Sequence, residues 1–313
     1  MFKRLFLPTG LVVAIAAALA VPLPGGVVEA LGKLRPWLVV TIFLINGYQT
    51  RLGDTPRGWT FPLTFAVVAV LTLGAGPWLG RGVAELYGLE AAVMLGLVVM
   101  ASMPSTLSSG IVLTEVAGGN ALWALMLTVG LNILGVFTIP FMLVWAAPQA
   151  SGEAAVAIES VPLLMKLMLW VLVPFVAGAS IKRLADGKAL HPAMAYIPST
   201  CVILTVWISC MMKRTDLLSL DLLSLGLMGA AALTTHLVLM GGCLGASFPL
   251  RLNPGQRRAM LFLGSQKTLP VALGVLTALS AVGAEAFIVS IVFHFLQLLT
   301  DSFIAAHLVR GRS

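Results

Sequence analysis

The sequence predicts an all-α polytopic membrane protein, with ten transmembrane helices as two inverted five-helix repeats and with the fourth and ninth helices broken. Three observations predict it. Of 313 residues, 59% are hydrophobic and only 10% charged, against about a quarter charged in soluble domains. Ten apolar runs come close to or exceed the roughly 20 residues that cross a hydrocarbon core. They lie near 5–24, 34–50, 60–79, 89–117, 121–147, 160–184, 192–212, 222–248, 256–281 and 286–309. A proline stands inside both the fourth and the ninth, Pro104 and Pro270.

The first run opens "MFKRLFLPTGLVVAIAAALAVPLPGG" and imitates a signal peptide, with Lys3 and Arg4 before an apolar stretch that ends in small residues at Ala20. Counting it as a span keeps two equal halves, because its loss would leave nine. The second run carries Asn46 and Gln49 in "FLINGYQT" (43–50), which interhelical hydrogen bonding explains. Trp37, Trp59 and Trp78 fall near run ends, as interfacial anchors do. In the fifth run Thr128 and Asn132 stand one turn apart.

The connector "AAPQASGEAAVAIES" (146–160) then divides five spans from five, giving repeats over 1–150 and 151–313 with no soluble domain. An odd number of spans per half makes the second half enter from the opposite face. Transporters built this way place the substrate where discontinuous helices meet near the midplane.

In the second half, Lys166 near one end of its run can snorkel to the interface. Cys201, Cys210 and Cys243 lie inside apolar runs without a CxxC pair, and so read as buried small hydrophobes rather than disulfide or metal ligands. His236 in "LTTHLVLM" reads as a lone core histidine. The last run, "FHFLQLLTDSFIAAH" (293–307), puts His294, Gln297 and Asp301 on one helical face at i, i+3 and i+7.

Net charge is +7, but distribution matters more than sum. With ten spans, twelve Lys and Arg share the side of the termini, and five (Lys33, Arg35, Arg81, Lys213, Arg214) lie on the other. By the positive-inside rule both termini are cytoplasmic, which suits a bacterial inner membrane. The partner is a lipid bilayer, since a nucleic-acid reading lacks a soluble basic surface. No HExxH, GxSxG or paired-Asp motif occurs and the four His are scattered, so an enzyme is not expected. A channel or a regulatory membrane protein on a transporter scaffold is the alternative reading.

The broken runs carry the chemistry. The fourth reads "LGLVVMASMPSTLSSGIVLTEVAGG" (95–119) and the ninth contains "LFLGSQKTLPVALGVL" (261–276). Each proline removes a backbone donor and drives the preceding residue, Met103 or Leu269, out of helical geometry. Ser102, Ser105, Thr106, Ser108, Ser109 and Gly110 flank one break, and Gly264, Ser265, Gln266 and Thr268 the other. Irregular backbone at membrane depth survives only where protein or trapped water satisfies it. A charge there costs about 2.5–3.5 kcal/mol on insertion scales, so Lys267 needs a partner, expected to be Asp301 directly or through Gln297. Glu115, a turn beyond the first break, reads as interfacial.

The segments "MPSTLSSGIVLTEVAGGNALWALMLTVGLNILGVFTIP" (103–140) and "GSQKTLPVALG" (264–274), in this ten-span layout, resemble the bile acid:sodium symporter superfamily, above all its divergent subgroup not defined by bile acid transport. The resemblance implies a secondary transporter moving a small organic solute by alternating access, its fourth and ninth helices unwound and crossing behind the cavity. It matches Ser109 and Thr128 to hydroxyl ligands of a first sodium ion, and Gln266 to an amide ligand of a second.

Two positions depart from the family pattern: Phe262 stands where a shared carboxylate is expected, and Gly110 where an Asn is. With no carboxylate between 250 and 284, Lys267 reads as a built-in cation near the end of a half-helix, where the dipole favours positive charge. Sodium coupling at the second position is therefore not expected, and a proton is the other candidate ion. The lysine and two half-helix N-termini favour an organic anion. The candidate site comprises Ser105, Thr106, Ser108, Ser109, Thr128, Asn132, Ser265, Gln266, Lys267, Thr268, His294, Gln297 and Asp301, without a cofactor or resident metal.

Overall fold

An apolar chain that leaves water must satisfy its backbone internally, and a helix does so within one segment. The computed structural model describes residues 2–50, 58–107, 109–148, 158–185, 191–279 and 282–310, which are helical along most of their length and contain no strand. In chain order, α1 (Phe2–Ala20), α2 (Gly25–Gly32), α3 (Arg35–Gln49), α4 (Thr60–Ala69), α5 (Gly76–Leu86), α6 (Ala91–Ser102), α7 (Ser109–Val116) and α8 (Ala121–Ala146) come first. Then follow α9 (Ser160–Leu167), α10 (Val173–Leu184), α11 (Ile197–Met212), α12 (Arg214–Ser219), α13 (Leu222–Ser247), α14 (Pro254–Ser265), α15 (Leu269–Ala278) and α16 (Ala284–Arg310).

Six helical stretches are long and apolar enough to cross a membrane: Thr60–Leu86, Ala121–Ala146, Ser160–Leu184, Leu222–Ser247, Pro254–Ala278 and Ala284–Leu308. The runs near 5–24, 34–50, 89–117 and 192–212 correspond to the shorter or interrupted helices α1, α3, α6 with α7, and α11. Two wide π turns, Val70–Ala75 between α4 and α5 and Met168–Leu172 between α9 and α10, have no counterpart in the sequence reading. Each precedes a proline, Pro77 or Pro174, and the extra residue absorbs the hydrogen bond that a proline cannot donate.

Helix ends are closed by side chains. Asn120 accepts from the Trp123 N–H at 3.1 Å, Asp221 from the Ser224 N–H at 2.7 Å, and Asn253 forms a reciprocal capping box with Gln256. At C-terminal ends the basic residues serve. Arg214 donates to Leu19 O at 2.9 Å, Lys182 to Thr50 O at 3.1 Å, Arg258 to Gly118 O at 3.0 Å and Lys166 to Ala278 O at 2.9 Å. Residues read from sequence as topological markers, or in the case of Lys166 as a snorkelling chain, thus also cap neighbouring helices.

Helices from residues 1–148 pack largely on helices from 158–310: α1 on α11, α3 on α10 and α11, α6 on α16, and α8 on α9 and α14. Glycines bring backbones together at these crossings. A methyl on Gly47 or Gly178 would lie 2.0 Å from Phe175 O or Leu44 O, and one on Gly96 2.4 Å from Ala286 O. Between helices of equal greasiness, such close approach supplies the packing attraction that water supplies elsewhere. Overpacking typically costs about 1–3 kcal/mol, so Gly47→Ala and Gly96→Ala should lower the melting temperature of the purified protein. Gly226→Ala, whose methyl meets nothing within 4 Å, should not. Equal melting of all three variants would show that these crossings do not constrain the fold.

Candidate functional site

The two breaks meet. Helix α6 ends at Ser102, Met103 is extended at φ −71°, ψ 149°, and α7 begins at Ser109. Helix α14 ends at Ser265, and Gln266 (φ −69°, ψ 145°) and Thr268 (φ −87°, ψ 115°) are extended. Leu269 is already helical, contrary to expectation. Pro270 sits in the first turn of α15, where its missing N–H costs nothing, so the restriction falls on the residues before it. The Thr268 N–H donates to Pro104 O at 3.0 Å, joining break to break.

Lys267 is fully buried, and its ammonium donates to Thr72 O and Met103 O, each at 3.0 Å. One carbonyl comes from the π turn of the third span and the other from the first break. The Thr72 hydroxyl returns a bond to Gly264 O at 2.8 Å. The expected pairing of Lys267 with Asp301 is therefore corrected. Side chains alternate along extended backbone, so Lys267 leaves the segment opposite to Gln266 and Thr268. What Gln297 holds is the backbone of Lys267, accepting from its N–H at 2.9 Å and donating to its carbonyl at 2.7 Å. His294 Nδ1 lies 2.8 Å from the Gln297 amide nitrogen and 3.4 Å from Lys267 O.

Asp301, also fully buried, finds its partners elsewhere. One carboxylate oxygen lies 2.9 Å from His236 Nε2, and the other accepts from the Gln266 amide at 2.6 Å. His236 Nδ1 lies 3.3 Å from Ser265 O. Reading His236 as a lone core residue missed this role. A buried carboxylate needs a donor, and the neighbouring apolar run offered an imidazole, which was the available signal.

Gln266 continues the chain, its oxygen accepting from Thr106 Oγ1 at 2.5 Å and from Ser109 Oγ at 3.2 Å. Thr106 also accepts from the Gly110 N–H at 3.1 Å, capping α7. Ser265 and Thr128 spend their hydroxyls within their own helices, on Leu261 O at 2.9 Å and Ala124 O at 2.8 Å. No bond joins Thr128 to Ser109 among the described residues. Asn132 donates to Ser105 O and Thr128 O, each at 2.9 Å, while Asn132 Oδ1 and Ser105 Oγ are buried without a partner among the described residues. Ser108 lies outside the described residues, and Glu115 is exposed.

A cavity of about 40 Å³ adjoins both breaks, lined on its polar side by Asn46, Thr106, Ser109, Thr268 and His294 and on its apolar side by Ile42, Phe43 and Pro270. Both second half-helices begin at it. Its volume is near that of one water molecule in the liquid, about 30 Å³, too small for an organic molecule. Removing one member of a buried pair costs about 3–5 kcal/mol, whereas removing both can be nearly neutral. His236→Leu and Asp301→Leu should each lower the melting temperature strongly, and the double variant should recover most of the loss. Lys267→Met should gain nothing from Asp301→Leu. Rescue of Lys267→Met instead would reinstate the lysine–aspartate pair.

A family model described as "SBF-like CPA transporter family" matches residues 6–310. A probable sodium/metabolite cotransporter, BASS4, of Arabidopsis thaliana chloroplasts is 30% identical, the match covering 95% of this chain and 71% of the plant protein. Sodium/bile acid cotransporter 7 of Mus musculus is 24% identical over 94% of this chain and 89% of its own length. An uncharacterized Pseudomonas aeruginosa protein, PA2026, is 28% identical over 80% of this chain and 74% of its own. The match spans nearly every helix described above, both breaks included, and the chain is an integral, multi-pass membrane protein that belongs to the SBF-like CPA transporter family.

Proposed function

We propose that the protein is a secondary transporter that carries a small organic anion by alternating access through the cavity between the two breaks. The arrangement is ten spans in two inverted repeats, with both termini on the cytoplasmic side of a bacterial inner membrane. Half-helices α7 and α15 both begin at the cavity, and their dipoles favour negative charge there.

The observation that carries the reading of the coupling ion is Lys267. Its side-chain nitrogen donates to the carbonyls of Thr72 and Met103, so a lysine side chain of the protein itself occupies the crossing. Thr106, Ser109 and Gln266 already satisfy one another, and Phe262 is a fully buried apolar group. A hard cation needs several open oxygens, and among the described residues the side-chain oxygens of Thr106, Ser109 and Gln266 are already engaged with one another. Coupling therefore does not run through a sodium ion beside Gln266. A second reading is favoured by the unpartnered Ser105 Oγ and Asn132 Oδ1: one sodium ion held between the first break and α8, near Thr128.

A ligand that binds only the folded state stabilises it by about 2.7 kcal/mol at a hundred times its Kd. Melting in sodium and in choline at equal ionic strength should coincide for the native protein, and a sodium-specific rise should appear only when Phe262→Glu is combined with Lys267→Asn. A rise in the native protein that Asn132→Leu removes would establish the second reading. In proteoliposomes, flux of the anion should saturate and show counterflow, and Lys267→Met should abolish both. Flux that never saturates would identify a channel.

A further inference from the structure

We infer that Lys166 is a clasp holding the α3–α11–α15 seam shut at the end where α15 finishes, and that its release lets the seam part there. As a gate the clasp rests on the alternating-access reading above, whereas the closure it maintains does not.

The helices sort into two groups. Helices α1, α3, α10 and α11 pack on one another, and so do α4 to α8 with α13 to α16. Inside each group backbones interlock at glycines. A methyl on Gly10 of α1 would lie 2.2 Å from Ile203 Cδ1 of α11, and one on Gly264 of α14 2.2 Å from Cys243 Sγ of α13, as tight as the crossings at Gly47, Gly178 and Gly96. Between the groups the fit is looser. A methyl on Gly274 of α15 would meet only Val39 of α3, at an ordinary contact distance of 3.9 Å. Surfaces that do not interlock can part without strain inside either group.

Helix α9 joins the groups, since it continues through the π turn into α10 yet lies on α8 and α15. With α9 counted beside α10, one side-chain hydrogen bond among the described residues crosses between the groups, from Lys166 Nζ to Ala278 O at 2.9 Å. Ala278 is the last residue of α15, roughly 12 Å along that half-helix from Pro270 at the central cavity. Its carbonyl lies at the negative end of the helix dipole, among the carbonyls that lack an intrahelical donor. The seam beside this bond is closed. Its crevice, lined by Val39, Thr205, Leu273 and Gly274, has no room for a water molecule, whereas the central cavity between the same three helices has about 40 Å³.

Lys166 is releasable where Lys267 is not. Lys267 is fully buried on two carbonyls. Lys166 is partly exposed, holds one carbonyl and stands near the end of its span, where its long stem carries the nitrogen to water or headgroups once the bond breaks. Release exchanges one set of acceptors for another, so the bond biases the seam toward closure without locking it. Rocking of one bundle against another needs contacts of this kind.

Gly274→Cys places a thiol in the closed seam. Cys201, Cys210 and Cys243 are buried, and their background is read from the native protein. In detergent, where both ends are reached, modification by a small charged methanethiosulfonate is followed by intact mass. Losing a hydrogen bond to a charged group shifts an equilibrium about tenfold or more, so Lys166→Met should raise the rate at Gly274→Cys about tenfold. Lys166→Arg, which can still donate, should stay near the native rate. Lys182→Met, which frees Thr50 O inside the first group, should leave it unchanged. Val275→Cys, fully buried outside the crevice lining, should stay slow in every variant. An unchanged rate at Gly274→Cys in Lys166→Met would overturn the clasp, leaving Lys166 a simple helix cap. An equal rise in Lys182→Met, or a parallel rise at Val275→Cys, would also overturn it, since general loosening or fraying of α15 would then explain the exposure. These rates need no flux, so absence of saturable transport would remove the reading above while leaving the clasp to stand or fall on its own.

Discussion

Much of the structure depends on the contact of the Lys267 ammonium with the carbonyls of Thr72 and Met103. Each participant is irregular for the sake of the others. Met103 presents its carbonyl because α6 has stopped, Thr72 because the third span has widened into a π turn, and Lys267 reaches both because α14 and α15 are separated by extended residues. Alone, each interruption would leave unsatisfied backbone in a medium without water. Together, with the bond from Thr268 to Pro104, they satisfy one another.

The extended segment 266–268 also sorts two polar networks onto opposite faces. On one face the lysine donates to two carbonyls. On the other, Gln266 joins the His236–Asp301 pair to the hydroxyls of Thr106 and Ser109, which border the cavity.

Enclosure makes this polarity tolerable. The apolar window of the Pro254–Ala278 span is 100% buried within the protein, whereas those of Ser160–Leu184 and Leu222–Ser247 are 33% buried. Lipid thus faces the outer helices, which include the π-turned α9–α10 pair. The crossing is enclosed by protein, and the cavity beside the breaks is bordered by α3 and α11. Basic side chains close several helix ends at that border, so charges that orient the chain in a membrane also fasten one helix to another.

The sequence by itself determined the helical membrane class, since composition and run length leave little else that can satisfy a backbone in hydrocarbon. It determined the family too, through the segments around Pro104 and Pro270, and it located both breaks, because proline acts on its immediate neighbours. The tertiary structure decided the partners. Lys267 and Asp301 looked like a pair because both are charged and both are buried. Which way a side chain leaves an extended segment, however, depends on parity, and parity depended on whether the break fell before or after Leu269. His236 gained its role only when α13 packed beside α16. The π turns give no periodic signal, and the Thr72 carbonyl of the first became a lysine acceptor only through a contact between residues 195 positions apart.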